Sequence, residues 1–126
     1  MLRQDLICRY RQFSIEAAEL ITELPKNAIN YAYSGQLIRS SSSCGANYRA
    51  SQRAKSPKDF INKLKIVEEE LDESIYFLDL LLYFNKMFQG RFEKLISEAN
   101  ELLSITVASL KTARKNLKES KNKKKE

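Results

Sequence analysis

The chain contains no histidine and no tryptophan, and among its 126 residues only three are glycine, two are proline and two are cysteine. Without histidine, the commonest general base near neutral pH and the commonest imidazole metal ligand are both missing, which weakens most hydrolase and metalloenzyme readings. Two thiols, Cys8 and Cys44, supply neither a four-ligand zinc site nor a disulfide framework, so a reducing cytoplasm is the expected home. So few glycines and prolines leave little chain for loops. With 43% hydrophobic and 30% charged residues, the composition points to one folded, helical domain. No apolar run approaches the roughly 20 residues that cross a bilayer, and Asp5 interrupts the place where a signal peptide would begin its apolar core. A soluble, unprocessed protein with no membrane partner is expected.

The net charge of +6 is banded along the chain. Residues 1–25 carry net −1, residues 26–65 net +7, residues 66–110 net −6 and residues 111–126 net +6. Such banding steers an anionic partner such as RNA or DNA toward the basic segments. It equally lets opposite bands of neighbouring subunits attract each other.

Four helices are expected, at about 2–24, 27–54, 57–84 and 90–117, folding as an all-α, up-and-down antiparallel four-helix bundle over residues 1–117. In the first, Leu6, Tyr10, Phe13, Ala17, Leu20, Ile21 and Leu24 form one stripe, ended by Pro25. Asn27 caps the second, whose expected inward stripe is small and polar: Ile29, Tyr33, Gln36, Ser40, Ser43, Cys44, Asn47 and Ala50. The run Ser40 to Ser43 also reads as a flexible linker, although the residues on both sides keep helical phase through it. Ser56-Pro57-Lys58-Asp59 is a start signal for the third helix, with Ser56 as N-cap. Its seam is Phe60, Leu64, Val67, Leu71, Ile75, Leu78 and Leu82. The break before the fourth helix is placed at Gly90. Beyond Leu117 no apolar residue remains to bury, and residues 118–126 are expected as a disordered basic tail.

The third helix carries a second apolar stripe, Ile66, Phe77, Leu80 and Phe84, roughly 100° or more from its seam. A lone bundle would expose it, so these four residues are the candidate interface of a homo-oligomer.

No catalytic constellation emerges, and no catalytic residue, metal or cofactor is expected. Four consecutive serines have no histidine to activate them, and a Ser-Lys arrangement would need Lys55 or Lys58 brought back from the far end of the helix. Glu68, Glu69, Glu70, Asp72, Glu73 and Asp79 point in different directions on a helix and read as a solvated acidic face. Two basic features remain as candidates for contact with nucleic-acid phosphates: Arg49, Arg53, Lys55 and Lys58, with Tyr48 beside them as a stacking ring, and Lys111, Arg114, Lys115 and Lys118. The alternative is that these are solubilising residues, or that Arg49 or Arg53 pairs with the acidic helix of a neighbour.

The segment Gln36-Leu37-Ile38-Arg39-Ser40-Ser41-Ser42-Ser43-Cys44-Gly45-Ala46-Asn47-Tyr48-Arg49-Ala50, followed by Arg53-Ala54-Lys55-Ser56 and Asp59-Phe60-Ile61-Asn62-Lys63-Leu64, resembles the signature of the four-helix-bundle proteins named after 23S rRNA intervening sequences. Ile66-Val67-Glu68-Glu69-Glu70-Leu71-Asp72-Glu73-Ser74 looks like that family's third helix, and Leu24-Pro25-Lys26 like its first turn; Cys44 stands where the family more often has an aliphatic residue. The resemblance implies an up-and-down bundle assembling into a ring, commonly a pentamer, with a basic surface. Some members are encoded inside insertions in ribosomal RNA genes. The similar accessory variability determinant proteins of diversity-generating retroelements act with a reverse transcriptase and nucleic acid, which makes such an enzyme a candidate protein partner. Carried over by position, Gln36, Arg39, Ser43, Asn47 and Glu73 match the family's polar set, and they are expected to satisfy one another within or between subunits, Arg39 bridging to Glu73. The combined expectation is a cytoplasmic, non-enzymatic, homo-oligomeric bundle that associates with nucleic acid or a ribonucleoprotein. The rival is a structural or protein-binding adaptor.

Overall fold

The structure is a computed structural model that describes residues 3–125. Four helices, α1 (Arg3–Glu23), α2 (Ala28–Ser51), α3 (Pro57–Phe84) and α4 (Gln89–Lys125), run alternately up and down, with a single 3-10 turn at Lys86–Phe88 before the last. Around the bundle α1 packs on α2, α2 on α3, α3 on α4 and α4 on α1, leaving α1 and α3, and α2 and α4, as diagonals.

The helix starts follow the cap chemistry. The Asn27 side chain accepts the Asn30 N–H at 2.9 Å and the Ser56 hydroxyl accepts the Asp59 N–H at 3.1 Å, each satisfying one donor that an uncapped helix would leave open. The Asp59 carboxylate in turn accepts the Lys55 N–H at 3.1 Å, closing the α2–α3 turn. The expected α1 stripe forms the core wall, with Tyr10, Phe13, Ala17 and Leu20 fully buried. In α3 the seam centres on Leu64, Val67, Leu71 and Leu78. Its expected outer members Phe60, Ile75 and Leu82 are only half-buried, while Ile61, Ser74 and Leu81 go under, because α3 lies between two neighbours.

Three expectations change. First, α2 is helical straight through Ser40 to Ser43, so the linker reading fails, and its buried face is rotated from the expected one. Asn30, Ser34, Leu37, Ser40, Ser41, Cys44, Tyr48 and Ser51 face inward; Ile29 and Gln36 are exposed, and Tyr33, Ser43, Asn47 and Ala50 lie at the margin. The two large side chains Leu37 and Tyr48 set this phase. The serines follow cheaply because their hydroxyls bond back along the helix, Ser40 to the Leu37 carbonyl at 3.3 Å and Ser51 to the Tyr48 carbonyl at 2.6 Å. Second, the break after α3 falls at Asn85, which leaves helical geometry at φ −137°, ψ 51°; Gly90 sits inside α4. Third, α4 does not end at Leu117, because nothing in the lysine-rich sequence breaks a helix and cations suit the C-terminal end of its dipole. Residues 118–125 therefore extend as helix about 12 Å past Leu117, the last side chain packed on the core.

The core is threaded by satisfied polar groups. The Tyr10 hydroxyl meets Thr106 Oγ1 at 2.8 Å, the Ser14 hydroxyl donates to the Ser41 carbonyl at 2.8 Å, and the Ser40 and Ser74 hydroxyls meet at 2.9 Å. Among the described residues no buried side-chain nitrogen or oxygen lacks a partner. No helix among them is long and apolar enough to cross a membrane.

Candidate nucleic-acid interface

Tyr10 of α1 hydrogen-bonds Thr106 of α4 and stacks on Tyr48 of α2 with ring centroids 4.7 Å apart, which sets residues 10, 48 and 106 at one level. From that level α2 and α4 both run down toward the end where α1 and α3 begin. The alternating topology thus collects two sequence-distant basic bands, the α2–α3 turn and the tail of α4, at one end of the bundle.

At this end Arg49, Ala50, Arg53, Lys55, Asp59 and Lys63 line an open cleft of about 440 Å³ between α2 and α3. Three of the expected cations, Arg49, Arg53 and Lys55, come together there. Lys58 does not; it is exposed on the first turn of α3 outside the cleft. Lys63 joins instead, one helical turn after Asp59 on the side of α3 that faces α2, a placement that the sequence encodes only through the i, i+4 spacing. Lys111, Arg114, Lys115 and Lys118 are all exposed on the C-terminal part of α4, Lys118 alone of the four lying beyond Leu117. Tyr48 is not beside these groups as a stacking ring. It is 8% exposed, packed flat on Tyr10.

Three arginines elsewhere are engaged, while the exposed Arg11 forms no ion pair among the described residues. Arg9 holds Glu98 with its Nε at 3.0 Å and reaches Glu101, the Glu98 hydrogen bond raising its pKa further; Arg91 pairs with Glu23; and Arg39 bridges from α2 to Glu70 at 3.1 Å and to Glu73 on α3. Among the described residues none of the cations at the basic end forms an ion pair.

The expected polar set divides. Arg39 meets Glu73 and also Glu70, while Asn47 donates to the Ser43 carbonyl at 2.9 Å and its hydroxyl at 3.2 Å on the same helix; Gln36 is exposed and joins neither. Cys44 is buried, its Sγ 3.1 Å from the Ser41 carbonyl, and burial pushes its thiol up to about 12, so it stays protonated near neutrality.

The expected apolar interface is partly closed by the chain itself. Phe77 lies against Tyr33 of α2 with centroids 6.0 Å apart and Leu80 is half-buried, whereas Ile66 and Phe84 are 36% and 48% exposed. A second apolar surface, absent from the sequence reading, opens between α1 and α2 toward the opposite end. It is a groove of about 710 Å³ lined by Ile21, Leu24, Pro25, Tyr31, Gly35 and Ile38, among others. Around it α2 carries a single charge, Arg39, from Ala28 to Tyr48.

A family model described as 23S rRNA-intervening sequence protein matches residues 5–108. A crystal structure of a protein of unknown function from the S23 ribosomal protein family of Bacteroides thetaiotaomicron is similar at 27% identity and a TM-score of 0.74, over 84% of this chain and 98% of that one. No curated protein matches the chain. The matched residues span α2 and α3 completely together with nearly all of α1 and half of α4, and the chain belongs to the 23S rRNA-intervening sequence protein family.

Proposed function

We propose that this chain is a non-enzymatic, self-associating bundle of the cytoplasm that binds nucleic acid or a ribonucleoprotein through its basic end. The observation that carries the reading is the contrast in pairing. Arg9, Arg39 and Arg91 are tied to carboxylates between helices, whereas among the described residues Arg49, Arg53, Lys55 and Lys63 form no ion pair, although one carboxylate, Asp59, lines the same cleft. Holding like charges together costs free energy that a phosphate backbone would return. Self-association is supported by the apolar side chains left in solvent away from that end, Tyr31, Tyr83 and Met87 above all. The resemblance to bundles that form pentameric rings supplies the expected assembly.

A titration of RNA and DNA at two salt concentrations tests the reading. Log affinity should fall linearly with log salt, as counterion release requires. Absence of binding at low salt would favour the second reading, a protein-binding adaptor using the α1–α2 groove, for which a reverse transcriptase is the candidate partner. The assembly mass in solution tests self-association separately.

A further inference from the structure

We infer that the basic end takes a double-stranded polynucleotide, gripping phosphates of both backbones, and discriminates against unpaired strands. The inference rests on the nucleic-acid reading above and narrows it to a substrate class.

Proteins that hold single strands without reading sequence combine a cationic groove with exposed aromatic rings. Stacking supplies much of their affinity, so such rings must lie beside the phosphate contacts. This chain separates the two. Of its six tyrosines and six phenylalanines, those most open to solvent are Tyr31, Tyr76, Tyr83 and Phe84. Tyr31 lies 18 residues before Arg49 on α2, about 27 Å along the helix, and Tyr76 lies 13 residues after Lys63 on α3, about 20 Å. At the basic end Tyr10 and Tyr48 are buried against each other, and Phe60 is half-buried on the core. A strand whose phosphates occupied the cleft would find there no fully exposed ring for its bases among the described residues, only the edge of Phe60 beside Lys55.

The cations are instead arranged as two rows. One lines the α2–α3 cleft; the other follows the C-terminal part of α4, which is diagonal to α2. With neighbouring helix axes about 10 Å apart, the α3 side of the cleft lies about 10 Å from the α4 axis and the α2 side, across the diagonal, about 14 Å. Both are comparable with the roughly 12 Å across the major groove of a B-form duplex, whose two backbones present charge at twice the density of one strand. Two cationic rows at this separation match two backbones, and contacts made to phosphates in place of base edges leave the binding indifferent to sequence.

The test is fluorescence anisotropy with the full chain against a 20-base-pair RNA duplex, the same duplex in DNA, and oligo-A and oligo-U single strands, at 50 and 200 mM salt. The DNA duplex should bind at least tenfold more tightly than either strand, unaffected by scrambling the sequence, and more tightly than the RNA duplex, whose A-form major groove is deep and narrow. With about six phosphate contacts, affinity should drop about 10³-fold between the two salts. Arg53→Glu with Lys63→Glu should weaken duplex binding at least tenfold. So should Lys115→Glu with Lys118→Glu, placed on exposed helix where the fold cannot be disturbed. Single strands binding as tightly as duplexes would overturn the duplex inference and leave nucleic-acid binding standing. Loss of all binding at 50 mM salt would overturn both, and duplex affinity unchanged in both double variants would overturn the two-row placement.

Discussion

Asn30 and Asn85 exchange two hydrogen bonds through their buried carboxamides, Asn30 Nδ2 to Asn85 Oδ1 at 3.0 Å and Asn85 Nδ2 to Asn30 Oδ1 at 2.8 Å. The remaining amide protons are also used. Asn30 donates to the Pro25 carbonyl at 2.9 Å and Asn85 to the Leu81 carbonyl at 2.8 Å, so one clasp joins the α1–α2 turn to the end of α3.

Replacing one member strands the other in an apolar surrounding. Asn85→Ala should cost about 2–4 kcal/mol, combining the unmade hydrogen bonds of Asn30 with the lost packing. Denaturant unfolding measures this. The double variant Asn30→Ala, Asn85→Ala should be less destabilised than the sum of the singles, with a coupling of about 1–3 kcal/mol. Strict additivity would show that the clasp does not act as a unit.

High pH should unfold the bundle earlier than carboxylate or lysine chemistry suggests. Burial raises the Cys44 thiol from 9.0 to about 12, and burial raises the Tyr10 hydroxyl above its ordinary 10.0, partly opposed by its bond to Thr106. The unfolded chain therefore loses these protons first, binds fewer of them than the native state, and stability falls as pH rises from about 9 through the native-state values. Cys44→Ala should remove the onset near pH 9 and leave the part beginning near pH 10. Thermal melts from pH 8 to 11 resolve the two.

The small α2 glycines separate folding from assembly. A Cβ at Gly45 would rest 3.5 Å from Tyr10 Cβ, an ordinary contact, and one at Gly35 would meet nothing within the chain. Both Gly→Ala changes lie mid-helix and should stabilise the protomer by about 0.5–1 kcal/mol. If the α1–α2 groove is where copies meet, Gly35→Arg should reduce the mass measured by ultracentrifugation while far-UV circular dichroism holds. An unchanged mass would remove that groove from the interface.

Removing residues 118–126 deletes side chains that touch no core residue among those described. Unfolding free energy should change by less than about 0.5 kcal/mol. Duplex affinity and its salt slope should both fall. Loss of stability on truncation would show that the extension packs on something.

What could be read in the sequence divides along physical lines. The stripe of α1, the caps Asn27 and Ser56 and the alternation of α3 are local or periodic, and they place four helices and their order. The phase of α2 was misread because serine is nearly indifferent between core and surface when its hydroxyl can bond its own helix, so a stripe of largely small and polar residues outvoted Leu37 and Tyr48. That single rotation also sent Tyr48 to the surface. The Asn30–Asn85 clasp and the arrival of Lys63 in the cleft connect residues of different helices, and no window along the chain contains both partners. Glycine drew the expected break to Gly90, whereas Asn85, held by tertiary hydrogen bonds, makes it.

The amide clasp has a mechanical consequence. By welding the turn of one hairpin to the hinge of the other, it makes one pole of the bundle its rigid pole. Breathing is then left to the opposite pole, where the short 52–56 connection is held by backbone bonds, the Ser56 cap and the exposed Asp59 carboxylate on the Lys55 N–H. Amide hydrogens there should exchange with deuterium ahead of those flanking Asn30 and Asn85. The pole proposed to meet polyanions is thus the one free to adjust its shape to them.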